Sequence, residues 1–241
     1  MRGLREWWRE IAGLVLPGEC AGCGAPRTGL CEECGATLYE PGARRVWPDP
    51  PPAGLPEVWA AAVYADQPRA VLLAHKERGA LGLARPLGAA LAGAVYAAVR
   101  GGGGGGAPET GPLLLVPVPS SRRAVAARGH DATRRMARAA AADLRRDGLP
   151  VRAARVLRQR RPVADQAGLA APDRLANLSG ALEAVPGAAG LLRRTGAVLV
   201  DDLMTTGASL VAAARAVEAA GGRVLAAAVI GGPAPLRRRT E

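Results

Sequence analysis

The segment Ala197-Val-Leu-Val-Asp-Asp-Leu-Met-Thr-Thr-Gly-Ala-Ser-Leu210 constrains the chain more than any other. An apolar run that can be buried ends in two acids, Asp201 and Asp202. A turn of Thr205, Thr206, Gly207 and Ala208 follows, and Ser209 stands where helical spacing begins. Strand, tight turn and helix in that order are the unit from which parallel α/β sheets are built. Small hydroxyl residues and glycine at a helix N-terminus leave backbone N–H groups open to an anion, and the helix dipole favours negative charge there. Two acids beside such a cradle would repel a bare phosphate. They fit a phosphate that carries a sugar, whose hydroxyls, or a metal bound to it, they would hold. The segment predicts a sugar-phosphate site at the carboxyl end of a strand, where open α/β sheets place ligands.

The remainder repeats the alternation. Val58–Tyr64, Leu113–Val118, Val151–Leu157, Ala197–Val200 and Arg223–Ile230 read as strands. Arg69–His75, Leu83–Val99, Ala124–Arg146 and Ala208–Ala220 read as helices. The pattern predicts an α/β fold with a parallel sheet flanked by helices. Residues 1–16 read as a short amphipathic helix, Arg44–Pro56 as a proline-dense connector, Gly101–Gly106 as a flexible loop, and 158–177 as polar and irregular. Three regions are expected: a helix and cysteine knuckle over 1–45, the α/β domain over 46–235, and a basic tail over 236–241.

All four cysteines fall in one window, Cys20, Cys23, Cys31 and Cys34, in the pattern C-x2-C, seven residues, C-x2-C. Two such turns bring four thiolates to one ion, a closed tetrahedral site that suits structural zinc and leaves no position for a catalytic water. Nothing in 1–16 has the form of a secretory leader, so the thiols are expected to stay reduced in a cytoplasmic protein. Leu81–Val99 is interrupted by Arg85 and Pro86 and is rich in alanine and glycine, so no membrane span is expected. No lysine follows the glycine run, which disfavours a P-loop nucleotide site.

The chain holds 32 Lys plus Arg against 21 Asp plus Glu, a net charge of +11 that attracts phosphates. Lys76 is the only lysine. A compact cation kept where arginine is otherwise used suits pyrophosphate binding; a charge favouring the helix C-terminus is the plain alternative. Aromatic residues are too few, at 3%, for an extended base-stacking platform.

The Asp201–Ser209 segment resembles the phosphoribosyl pyrophosphate (PRPP) motif of type I phosphoribosyltransferases. With the cysteine array ahead of it and Val116-Pro-Val-Pro119 between, the chain resembles the ComF family of GntX-like competence proteins. Pro17, Tyr64, Lys76, Arg128-Gly129, Gln166, Leu169, Arg174 and Asn177 extend the likeness over nearly the whole chain. The resemblance implies that Asp201 and Asp202 contact ribose hydroxyls. It implies that Thr205, Thr206, Gly207, Ala208 and Ser209 cradle the 5′-phosphate. Ser120 and the following Arg122 and Arg123 would hold pyrophosphate, helped by Lys76. Arg128, Gln166 and Arg174 are further anion or loop candidates, and 158–177 would correspond to the loop that closes over substrate. Mg²⁺ would accompany PRPP. The sequence departs from the family after Arg128-Gly129, where His130, Asp131 and Ala132 replace an aromatic, Asn and Gln. Two activities are compatible with this resemblance: transfer of a phosphoribosyl group to a base or amine, or non-catalytic binding of single-stranded DNA or of competence-machinery proteins during DNA uptake.

Overall fold

The computed structural model describes residues 18–101, 112–160 and 180–234. The expected N-terminal helix, the glycines after Gly101, most of 158–177 and the basic tail lie outside the described residues, as do Gln166 and Arg174.

A short helix, α1 (Glu32–Ala36), belongs to the cysteine region. Strand β1 (Arg44–Val46) follows, then β2 (Val58–Val63), helix α2 (Asp66–Glu77), a 3-10 turn at Leu81–Leu83, and α3 (Ala84–Gly101). The chain continues through β3 (Leu113–Pro117), α4 (Arg122–Arg128), α5 (Ala132–Arg146), β4 (Val151–Ala153) and β5 (Leu157–Gln159). It closes with β6 (Leu182–Ala184), α6 (Ala189–Arg194), β7 (Gly196–Leu203), α7 (Ala208–Ala219) and β8 (Arg223–Gly232).

Six strands form one sheet in the order β1-β2-β8-β7-β3-β4. β2, β8, β7, β3 and β4 run parallel, and β1 joins the edge antiparallel to β2. The expected α/β class, with helices on a mostly parallel sheet, is what the chain adopts. A separate antiparallel ribbon pairs β5 with β6.

The period-two alternation of each strand builds two cores. Leu114, Val116, Ala197, Leu199, Ala227 and Val229 face α7 with Leu210, Ala213 and Val217. Leu113, Leu115, Val198, Val200, Ala228 and Ile230 face the other way, against α2, α3 and α5. Being covered on both sides makes these strands continuously apolar.

Three details differ from the sequence reading. The proline-dense connector contains β1, because Arg44–Val46 finds the free edge of β2. The expected helix 124–146 is two helices, since Gly129 adopts a left-handed φ of 72° and Asp131 caps α5 by accepting from the Arg134 N–H. The expected strand 151–157 is also divided: β4 completes the main sheet, while β5 turns away to the ribbon.

The region Leu81–Gly101 is long and apolar enough to cross a membrane by length and composition, and half of it is buried inside the fold. Its apolar face packs on α5 and the sheet. The crossing is close at Gly88, where an added Cβ would lie 2.3 Å from the Ala139 Cβ and 3.0 Å from the Ala140 nitrogen. Five residues on, Gly93 faces open space. The same substitution is therefore predicted to act oppositely at the two sites. Gly93→Ala is expected to stabilise by about 0.5–1 kcal/mol through backbone entropy. Gly88→Ala is expected to destabilise by about 1–3 kcal/mol by overpacking. Urea midpoints of the two variants against wild type check both.

Candidate functional site

Neighbouring strands β3 and β7 send their chains to opposite faces of the sheet: β3 continues into α4 and α5, and β7 into α7. The connections diverge at the strands' carboxyl ends, the position where open α/β sheets bind ligands. The Val118 N–H donates to the Val200 carbonyl at 2.9 Å, so the loop carrying Ser120 starts directly beside the acids.

Asp201 and Asp202 are the sixth and seventh residues of β7. The alternation that places Val198 and Val200 on the α2 side places Asp202 there too, and gives Asp201 to the α7 side. Asp202 is buried, at 6% exposure, and its Oδ2 forms an ion pair with Lys76 Nζ from α2. Asp201 stays partly exposed, and its Oδ1 accepts from the Asp202 N–H at 2.8 Å. Burial and the neighbouring Asp202 carboxylate push the Asp201 carboxyl well above the usual carboxylate range. For Lys76, burial opposes the charge, but the Asp202 carboxylate outweighs it and raises the ammonium above the ordinary lysine value. Lys76 therefore sits on an acid, not in open solvent.

Past Asp202 the chain turns through Thr205, which is exposed, and Thr206, which is half-buried. Gly207 caps α7 with a φ of 75°, and an added Cβ there would lie 2.8 Å from Leu55 Cδ1. Only glycine meets both conditions without strain. No side chain caps α7. The Ala208 N–H has only the Thr206 Oγ1, at 3.5 Å. α4 and α5 have side-chain caps, Ser121 accepting from the Ala124 N–H at 3.1 Å and Asp131 from the Arg134 N–H, whereas α2 and α6, like α7, have none. In the first turn of α7, Ala208 is buried and Ser209 half-buried, and helix-start N–H groups have no partner within the helix.

The other candidates spread out. Ser120 is half-buried in the β3–α4 loop, and Arg122 and Arg123 are exposed on the first turn of α4. Arg128 is engaged elsewhere, its Nε donating to Glu77 Oε2 at 2.7 Å. Sequence reasoning missed this pair and the pairing of Lys76 with Asp202, because each joins residues far apart in the chain. A signal for the second existed: one lone lysine, and a pleat that sends adjacent acids to opposite faces.

The four cysteines converge. Their sulfurs all lie within 4.8 Å of one another, with Cys20–Cys31 at 3.6 Å and Cys23–Cys31 at 3.7 Å. Four thiolates at about 2.3 Å from one tetrahedral ion stand about 3.8 Å apart, so the cluster is positioned to hold a metal. Burial raises the Cys34 thiol, as does the company of the other sulfurs. At Cys20, burial is outweighed by the N–H groups of Cys31, Cys23 and Gly22, which bring the thiol down to about 6. Four thiolates this close repel one another until a cation joins them.

The chain matches no protein-family model, and no curated protein matches it.

Two predictions follow from this geometry. A Cβ on Gly22 would lie 2.6 Å from Cys34 Sγ, whereas one on Gly18 meets open space. Elemental analysis of purified protein is expected to find one tightly held metal per chain in wild type and Gly18→Ala, and less than half of that in Gly22→Ala. The second concerns pH. The Asp201 carboxyl is raised in the fold, so the native state keeps a proton that the unfolded chain releases, and stability falls as pH rises from the ordinary carboxylate range. Asp201→Asn is expected to raise the thermal midpoint at pH 8, with the gain vanishing near pH 4, as scanning calorimetry would show.

Proposed function

We propose that the chain is a type I phosphoribosyltransferase-like protein that binds PRPP or a closely related sugar phosphate at the carboxyl ends of β3 and β7. One observation carries the reading: paired acids end β7, and within six residues an uncapped helix begins, both beside the loop that leaves β3. An acid pair suits vicinal hydroxyls, which donate hydrogen bonds to carboxylates. A bare N-terminal turn suits a phosphoryl group. A pentose 5-phosphate carries both groups in one molecule.

In this reading Asp201 and Asp202 hold the ribose hydroxyls. The amides of the turn from Thr205 to Ser209 receive the 5′-phosphate, with the Thr206 hydroxyl beside them. The Ser120 loop, with Arg122 at the start of α4, faces the pyrophosphate. Mg²⁺ entering with PRPP would supply charge neutralisation to the pyrophosphate, beside Ser120 and Arg122. The residues of the chain hold the sugar in place and stabilise charge, the two contributions that a dissociative transfer from an anomeric carbon needs most. A base or an amine is the acceptor. Lys76 pairs with Asp202 and so holds that carboxylate in place at the end of β7. The four-thiolate cluster holds zinc as a structural ion, since it leaves no open coordination position.

Titration calorimetry with Mg²⁺ and PRPP tests the reading. Wild type is expected to bind, and Asp201→Asn/Asp202→Asn to lose at least tenfold in affinity. No heat of binding with folded wild type would overturn it.

A further inference from the structure

The last three residues of α2 each hold a different part of the molecule. The His75 carbonyl lies 3.0 Å from His130 Nε2. Lys76 Nζ pairs with Asp202 on β7. Glu77 Oε2 accepts from Arg128 Nε on α4 at 2.7 Å. Two of these three ties lead to one corner, Arg128-Gly129-His130, and they flank Lys76 on both sides.

The corner is built to be rigid. Gly129 turns it with a left-handed φ of 72°. His130 is buried, at 8% exposure, and its Nδ1 lies 3.0 Å from the Arg128 carbonyl. Its ring also leans on that of His75, with centroids 5.6 Å apart. His75 in turn faces the Ala80 carbonyl through Nδ1 at 3.2 Å. Without these contacts α2 would end in an ordinary last turn, and last turns fray. A lysine has four rotatable carbons and loses much rotamer freedom when held in one place. It stays on a buried carboxylate only if its backbone is fixed.

We propose that Arg128 and His130 are positioning residues, which fix the end of α2 so that Lys76 stays on Asp202 and the acid pair stays set for the sugar. The inference rests on the proposed function for its purpose, but the brace itself can be read without any ligand. It also gives a role to the stretch that departs from the ComF pattern: His130 spans from its own corner to α2.

The sole lysine makes the test direct. Reductive methylation with ¹³C-formaldehyde labels two amines in the chain, Lys76 and the N-terminal amine, whose ordinary titration ranges differ by more than two pH units. Carbon-13 spectra then follow Lys76 through a pH titration. Wild type is expected to titrate above the ordinary lysine range, and Asp202→Asn to bring it down. Arg128 is a nearby cation whose charge by itself lowers the Lys76 titration, so its loss through charge alone would raise it; the brace predicts instead that Arg128→Gln and His130→Ala lower it toward the Asp202→Asn values. The swapped pair Glu77→Arg/Arg128→Glu is expected to restore wild-type behaviour. Mg²⁺–PRPP affinity is expected to fall about tenfold in Arg128→Gln and to return in the swap. Should His130→Ala fail to fold, His130→Gln takes its place, since its side-chain amide N–H can donate to the His75 carbonyl. A Lys76 titration unchanged or raised in folded Arg128→Gln, and unchanged in folded His130→Gln, would overturn the brace. Absence of PRPP binding with these titration shifts intact would overturn the proposed function and leave the brace standing.

Discussion

Two adjacent carboxylates at the end of a buried strand lose their water and repel each other, and the arrangement is tolerable only because Lys76 reaches one of them. The pleat assists by sending the two side chains to opposite faces of β7. Asp202 is thereby committed to the α2 side and neutralised. Among the described residues Asp201 has no ion pair of its own; it is partly open and raised in its titration. A group of that kind is costly to the fold and is a common mark of a functional site. The rest of the site is arranged around this pair.

The layers explain why the pair stands where a ligand can reach it. β7 lies in the middle of the sheet, with β8 on one side and β3 on the other. The helix after β7 covers one face, and the helices after β3 cover the other. The strands' ends would be closed over if both connections took the same side. Because they part, the acids, the Ser120 loop and the α7 N-terminus stand together at the strands' carboxyl ends. The cysteine region joins the α2–α3 side: Leu38 is fully buried in that core, Ala21 and Leu30 pack against it, and the Tyr39 hydroxyl donates to the Pro86 carbonyl at 3.1 Å.

Much of this was legible in the chain. Val198-Leu-Val200 and Leu113-Leu-Leu115 are apolar at every position, which is what two-sided burial demands, and they identify the parallel strands. The Cys20–Cys34 spacing identifies the metal cluster, because four thiols in fifteen residues have few ways to avoid one another. The strand-acid-acid-turn-helix order around Asp201 identifies β7 and α7. Other features were hidden. β1 is three residues long and forms because an edge of β2 is free, a fact about the fold and not about Arg44–Val46. The division of helix 124–146 depends on Gly129 taking a left-handed φ, and glycine also occurs inside helices here, as at Gly88 and Gly93. The brace of Arg128 and His130 on α2 spans more than fifty residues, and no local pattern encodes it.

The central claim is that the acid pair and the bare first turn of α7 receive one ligand. Amide hydrogen exchange, followed by mass spectrometry with and without Mg²⁺–PRPP, tests it most directly. The account predicts that exchange slows at 205–209, which carry the amides meant for the phosphate, and that Asp201→Asn/Asp202→Asn abolishes the slowing. Unchanged exchange over 205–209 at saturating ligand, or protection that survives loss of both acids, would contradict it.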